Sequence, residues 1–103
     1  MNNRINIIET FVNPSSGRNY VIHMEIPEFT SLCPKTSQPD FGKFVLDYIP
    51  YKKCIELKSL KLYMTSYRNF GAFHEDLTNK ILEDFVKKID PLYIRLISKF
   101  NRI

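Results

Sequence analysis

The 103-residue sequence is poor in the residues that mark several common protein classes: it has two cysteines, three glycines and no tryptophan. Two cysteines, Cys33 and Cys54, do not make a disulfide framework, and no C-x-x-C or H-x₃₋₅-H spacing indicates a zinc site. No G-x-G-x-x-G motif occurs, which excludes a Rossmann cofactor site. No segment has membrane-spanning apolar length and the first residues lack a signal-peptide core, so we expect a cytoplasmic protein with reduced cysteines and no membrane contact.

The composition is that of a globular protein, with 44% hydrophobic and 25% charged residues. We expect one domain spanning residues 1–103. The net charge of +4 and the absence of any block of five like charges leave two interpretations open. One is an anionic partner such as a phosphate-bearing ligand or RNA, and the other is simply a solvated basic surface.

Alternating apolar residues predict two strands before any helix. The first lies in NYVIHMEIPEF and should end at Pro27. The second lies in KFVLDYIP, where Phe44, Leu46 and Tyr48 share one face. Pro50 interrupts it, and KKCIEL is expected to continue it after a bend.

A helical period follows, and then a third strand. Leu60, Met64 and Tyr67 share one face of SLKLYMTSYRNF, with Ser59 as the expected N-cap. A second helix is predicted in GAFHEDLTNKILEDFVKKIDP and a strand in LYIRLISKF. The order strand, strand, helix, helix, strand predicts an α+β fold with both helices on one face of an antiparallel sheet. One sheet edge would be unpaired unless another chain covers it.

The stretch SLCPKTSQPDFG places a cysteine in a turn that is rich in proline. Cys33 could be a nucleophile, since Pro34 stiffens the backbone and Asp40 is near enough to fold back toward it. An ionised Asp40 would raise the thiol pKa, so it suits proton transfer better than thiol activation. The alternative is a buried filler cysteine and an ordinary turn aspartate.

Two other stretches carry possible binding residues. Lys58 and Lys61 share a helix face and could bind phosphates, although the same pattern occurs on solvated helices. The FHED segment places Glu75 at a helix start. Its carboxylate could either complement the helix dipole or accept two adjacent N–H donors of a heterocycle.

Four segments together resemble a known family: FTSLCPKTSQPDFG, ELKSLKLY, YRNFGAFHED and DPLYIRLISKFN. In this order and spacing they resemble the NADPH-dependent 7-cyano-7-deazaguanine reductases of queuosine biosynthesis, in their short single-module form, from about Thr10 to Asn101. The resemblance implies a tunnelling fold like that of GTP cyclohydrolase I. It also implies a ring-shaped homo-oligomer, a decamer of two pentamers, with active sites between subunits and no direct contact with nucleic acid.

The resemblance also implies the role of each site residue. Cys33 attacks the nitrile carbon of 7-cyano-7-deazaguanine to form a covalent thioimide, and Asp40 donates protons. No metal is implied. Substrate binding falls to Ile55, Glu56, Leu57, His74 and Glu75, and NADPH binding to Lys58, Ser59 and Lys61.

One departure from the family pattern lies after Asn101, where the family has a further strand and this sequence ends at Ile103. We therefore expect a sheet that is one strand short. Two alternatives to an active reductase follow from the sequence. One is a C-terminally truncated, inactive remnant, and the other is a zinc-dependent hydrolase of the same fold.

Overall fold

The computed structural model describes residues 3–101. A short 3₁₀ turn at Arg4–Ile7 precedes five strands and two α-helices. In chain order these are β1 (Thr10–Val12), β2 (Ile22–Leu32), β3 (Pro39–Ile49), β4 (Lys53–Ile55), α1 (Leu57–Thr65), α2 (His74–Ile89) and β5 (Tyr93–Phe100).

The main sheet is antiparallel and has the order β2-β3-β5, with β3 in the middle. A second, two-stranded sheet joins β1 to β4, with Thr10 opposite Ile55. The predicted continuation of the second strand through KKCIEL is therefore wrong. The chain turns after Pro50, and β4 pairs with β1 instead of extending β3.

The first long strand does not end at Pro27, contrary to the expectation from sequence. β2 runs on to Leu32, with a register shift between Ile26 and Phe29. Pro27 lies within this irregularity and pairs with no β3 residue, and β2 is an edge strand, so the missing N–H removes no ladder hydrogen bond. This continuation carries the chain directly to Cys33.

Both helices pack on one face of the main sheet, as predicted. Phe44, Leu46 and Tyr48 alternate along β3 and are fully buried against them. The helices contribute to the same core Leu60, Tyr63, Met64, Leu77, Ile81, Phe85 and Ile89. The expected α+β layer architecture is confirmed, and within residues 3–101 neither helix is long and apolar enough to cross a membrane.

Helix α1 is capped by Glu56 rather than by Ser59. The Glu56 carboxylate accepts hydrogen bonds from the backbone N–H of Lys58 at 2.8 Å and of Ser59 at 2.7 Å. Ser59 is buried within the first turn, and its hydroxyl accepts from Glu9 N at 2.8 Å. The predicted cap is thus corrected, because a carboxylate one residue before the helix can reach two N–H groups at once.

Candidate active site

The loop between β2 and β3 is closed by its own hydrogen bonds. Cys33 N donates to Gln38 O and Ser37 N donates to Cys33 O, both at 2.9 Å. Gln38 N donates to Thr36 Oγ1 at 3.2 Å. Ser37 adopts a left-handed conformation with φ of 60°. These bonds hold the backbone of Cys33 in one place at the end of β2.

The thiol of Cys33 is only partly buried and has donors around it. The Thr36 hydroxyl, followed by the backbone N–H groups of Thr36 and Lys35, lowers the pKa of Cys33, because these donors favour the thiolate. The negative charge of Asp40 raises the same pKa. Sequence reasoning anticipated the effect of Asp40 but missed Thr36, whose only signal was a hydroxyl three residues after a cysteine in a tight loop.

Asp40 meets His74 across the interface between β3 and α2. His74 Nε2 lies 3.1 Å from Asp40 Oδ2, and only 17% of the Asp40 side chain is exposed to solvent. Asp40 lies opposite Ser31 in the β2–β3 ladder, and alternation from Phe44 places it on the helix side of the sheet. The structure thus brings together two residues that are far apart in sequence.

The segment that precedes α2 runs beside the end of β2 and positions His74. Leu32 N donates to Phe70 O at 3.0 Å, and Ala72 N donates to Leu32 O at 3.2 Å. Leu32 and Gly71 form a parallel bridge. This pairing ties the start of α2, which carries His74 and Glu75, to the end of β2 next to Cys33. Cys33 and the Asp40–His74 pair form what we call the Cys33 cluster.

A shallow pocket of about 550 Å³ opens beside His74. Its walls come from the first turns of α2 and the end of β5, and it is lined by His74, Glu75, Thr78, Asn79, Leu96, Ile97, Ser98 and Phe100. Glu75 is exposed at its rim. The Glu75 carboxylate is therefore open to solvent at the mouth of this pocket.

The remaining predicted residues lie at the other end of α1. Ile55 is buried and Glu56 is occupied as the helix cap, whereas Leu57 is exposed. Helix α1 has nine residues and so spans about 13 Å. Its far end leads into the Phe70–Ala72 segment beside Cys33. Within a single chain, the predicted base-pocket stretch therefore does not meet the Cys33 cluster.

A larger groove of about 930 Å³ runs between α1 and the bulged part of β2. Lys61 and Arg68 line it together with Leu57, which lies about one turn before Lys61 on the same face of α1; Arg68 follows the end of that helix. Ser59 is buried and does not line the groove, and Lys58 is exposed outside it. Of the three predicted cofactor residues, the groove thus includes only Lys61.

The described residues include no metal site. No group of three or more histidine, cysteine, aspartate or glutamate side chains in residues 3–101 is arranged to hold a metal ion.

Comparison with protein-family models gives a match over residues 39–102, which contain Asp40, both helices and β5. The matching model describes a QueF-like protein. The chain belongs to the QueF-like family. The match covers more than half of the sequence, so the family does not depend on any single motif.

Two similar curated relatives of this QueF-like chain share a name. The NADPH-dependent 7-cyano-7-deazaguanine reductase of Thiobacillus denitrificans is 64% identical over 93 residues, which make up 90% of this chain and 67% of that protein. The protein of the same name from Nitrosomonas europaea is 68% identical over the same shares. The predicted family is confirmed, and these names agree with the expected oxidoreductase and with NADPH as its cofactor.

A solved structure shows the same fold. The archaeosine synthase QueF-Like in its apo form superposes with a TM-score of 0.75 at 24% sequence identity, over 81% of this chain and 82% of that one. The fold predicted from the family resemblance is therefore confirmed.

Proposed function

We propose that this chain reduces the nitrile of 7-cyano-7-deazaguanine to the primary amine 7-aminomethyl-7-deazaguanine, with NADPH, in the cytoplasm as part of tRNA queuosine biosynthesis. The observation that carries the proposal is the Cys33 cluster: an accessible thiol with a lowered pKa beside the Asp40–His74 pair. The names of the relatives, at 64% and 68% identity, support the substrate and the cofactor.

The cluster fits the steps that nitrile reduction needs. A nitrile accepts hydride poorly, and addition of the Cys33 sulfur to its carbon gives a thioimide, a C=N group that accepts hydride far better once its nitrogen is protonated. After the first hydride, the carbon holds both sulfur and nitrogen. Breaking the carbon–sulfur bond returns the thiolate and leaves an imine, which a second hydride converts to the amine. The balance is two hydrides and two protons.

Asp40 is the residue we assign to proton transfer in this sequence. Asp40 is the second residue of β3, directly after the loop that holds Cys33. Its carboxyl group contacts His74 Nε2, so a proton can pass along this pair toward the substrate nitrogen. His74 and Glu75 would recognise the base. The exposed Glu75 carboxylate can accept both N–H donors of the amino-pyrimidinone edge, a contact that rejects analogues without those donors.

The groove along α1 suits a phosphate-bearing cofactor. Lys61 and Arg68 place two cations on one wall, and Leu57 with neighbouring apolar side chains supplies a surface for planar rings. NADPH bound there would supply the hydrides. Lys58 lies beside Leu57 at the start of α1. Buried Ser59 would contribute indirectly, because its hydroxyl joins α1 to the backbone of Glu9.

The separation of the predicted residues within one chain supports a site that is shared between subunits. The base-pocket stretch that contains Ile55, Glu56 and Leu57 lies at one end of α1, and Cys33 lies beyond the other. Over residues 3–101, β2 and β5 are the two outer strands of the main sheet, and apart from the bridge at Leu32 their outer edges are available to a neighbouring copy. We propose that residues 1–103 form one reductase unit of a ring-shaped homo-oligomer, two stacked pentamers in the complete assembly.

The test is adduct formation with 7-cyano-7-deazaguanine. Wild-type protein should gain the mass of the substrate and a long-wavelength absorbance band, and should oxidise two NADPH per amine formed. Cys33→Ala should show neither adduct nor turnover. An adduct that persists in Cys33→Ala would refute the assignment of the nucleophile.

Cys54→Ala is the matched control, because Cys54 is the other thiol of the chain and is buried at 2% exposure. It should retain adduct and turnover. If wild type bound the nitrile and formed no adduct, the chain would be a binding remnant and not a reductase.

A further inference from the structure

Phe100, the last residue of β5, lies flat against a residue of the candidate site. Its ring is stacked on the imidazole of His74, with centroids 3.6 Å apart and planes inclined by 9°. The same ring meets Phe29 and Phe44 edge-on, each at 6.1 Å. Phe100 therefore connects the His74 ring to the hydrophobic core.

The sheet is shaped so that Phe100 can take this position. Gly42 lies directly opposite Phe100 in the β3–β5 ladder. A Cβ at Gly42 would lie 2.6 Å from Lys99 O and 3.0 Å from Phe100 Cα, and both of these are backbone atoms that cannot move aside alone. Only glycine allows β5 to approach β3 this closely, and the approach sets the position of the Phe100 ring.

A second contact fixes the start of α2 to the same strand. Thr78 Oγ1 lies 2.8 Å from Ser98 Oγ, one turn after His74 on α2 and two residues before Phe100 on β5. The backbone of His74 is thus held relative to β5 independently of its own side chain. What remains to be fixed is the plane of the imidazole.

The Asp40 contact alone does not fix that plane. His74 makes one hydrogen bond through Nε2, and 39% of its side chain is exposed to solvent. A single bond at one ring atom leaves the ring free to tilt about it, whereas a parallel aromatic face restricts the tilt. Stacking and hydrogen bond together define one orientation.

We propose that Phe100 is a positioning residue for the reaction: its ring holds the imidazole of His74 in the plane in which Nε2 meets Asp40. Phe100 also lines the pocket beside His74, but the role proposed here is exercised through the imidazole that it stacks on. This inference rests on the proposed function of the Cys33 cluster, in which the Asp40–His74 pair transfers protons and presents the base.

The kinetic test is a double-mutant cycle. Phe100→Leu keeps apolar bulk but has no flat face, and it should lower kcat about tenfold, as expected when a reacting group is misplaced. Phe100→Tyr keeps the face and should retain most of the activity. In a His74→Ala background, Phe100→Leu should have less than about a twofold further effect, because the group that it positions is gone.

A role of Phe100 in general stability would give a different result. The effects of Phe100→Leu and His74→Ala would then multiply, and Phe100→Tyr would give no selective rescue. Either outcome would overturn the proposal.

A second readout does not depend on turnover. The chain has two histidines, so the ring C–H resonances of His74 and His23 can be assigned by substituting His23. The face of Phe100 should shift the His74 resonance upfield. The shift should disappear in Phe100→Leu and persist in Phe100→Tyr, with His23 unchanged in both.

A His74 resonance that does not move in Phe100→Leu would refute the stacked geometry itself. Failure of the proposed function is separate from this: wild type would then lack nitrile-dependent NADPH oxidation, whatever the resonance shows. Should Phe100→Leu not fold, Phe100→Met supplies flexible apolar bulk without a ring, and the same two readouts apply.

Discussion

Asp84 offers the sharpest test of how the fold holds the candidate site, because it is a charged residue in the core. It is 1% exposed and lies on the buried face of α2. Its carboxylate accepts a hydrogen bond from Tyr63 Oη at 2.6 Å and another from Lys80 Nζ at 3.1 Å. Tyr63 Oη is also within 2.8 Å of Tyr67 Oη. The network joins α2 to α1 and to the segment that leads to the Cys33 loop.

The loss in free energy of unfolding when Asp84 is removed depends on whether Tyr63 and Lys80 can find other hydrogen-bond partners. Asp84→Ala leaves the Tyr63 hydroxyl buried with one partner fewer, and burial already raises the pKa of Tyr63, so it cannot ionise to adapt. Removing one member of a buried charged pair costs about 3–5 kcal/mol. Lys80 is partly exposed and can turn to water, which places the expected loss near the lower end, at about 3 kcal/mol.

Three variants separate the contribution of the Asp84 charge from that of its hydrogen bond. Asp84→Asn keeps an acceptor for Tyr63 and loses the charge, so it should cost about half as much as Asp84→Ala. Glu83→Ala removes the neighbouring exposed acid of α2 and should change stability by less than about 0.5 kcal/mol. A cycle of Asp84→Asn with Tyr63→Phe should show a coupling energy of at least about 0.5 kcal/mol.

The assay is urea unfolding followed by helical circular dichroism, at one fixed protein concentration because subunit association would contribute to stability. With a domain of this size, a loss of about 3 kcal/mol should also lower Tm by more than about 10 °C. If Asp84→Ala cost no more than Glu83→Ala, the buried carboxylate would not be the link between the helices.

Two further predictions concern titration. Thr36→Val should slow iodoacetamide alkylation of Cys33 at neutral pH by a factor of about three to ten, because the main donor that lowers the thiol pKa is lost. Thr36→Ser keeps a hydroxyl and should react like wild type. Equal alkylation rates in wild type and Thr36→Val would disprove the role of the hydroxyl. His23 has a pKa raised above 6.5, first by its hydrogen bond to Asp47. NMR titration should show a lower His23 pKa in Asp47→Asn than in wild type. The Asp47 pKa is itself depressed below 3.8, first by His23. The stabilisation by the pair is therefore complete between pH 3.8 and 6.5, and it declines as pH rises through the His23 pKa or falls through the Asp47 pKa. A difference in stability between wild type and Asp47→Asn that did not change with pH would contradict this.

The layer architecture could be predicted from the sequence because it follows from short-range patterns. Alternation in β3 and the helical period in α2 each mark one buried face. Two helices that each have one apolar face can bury both faces against the same side of a sheet. The end of β2 could not be predicted in the same way. Whether Pro27 ends a strand depends on whether that strand lies at an edge and can form a bulge there. The strand order is set by the pairing of β3 with β2 on one side and with β5 on the other.

Candidate site residues could be proposed from the sequence, but their spatial arrangement could not. Cys33 and Asp40 lie at the two ends of the short turn between β2 and β3, so their proximity is local. The contact between Asp40 and His74 depends on the pairing of Leu32 with the segment before α2, which no periodicity encodes. Glu56 shows the converse case, since a residue expected in a base pocket is used locally as a helix cap.

The donors around Cys33 have two uses in the proposed reaction, which explains why neutral groups suffice there. The Thr36 hydroxyl and the neighbouring N–H groups favour the thiolate that attacks the nitrile. After the first hydride, the same carbon holds sulfur and nitrogen, and the reaction goes forward only if the carbon–sulfur bond breaks. Donors that stabilise a thiolate also stabilise the departing sulfur, so they favour release of the imine over return to the thioimide. A loop that holds sulfur by hydrogen bonds therefore serves both the formation and the breaking of the covalent intermediate.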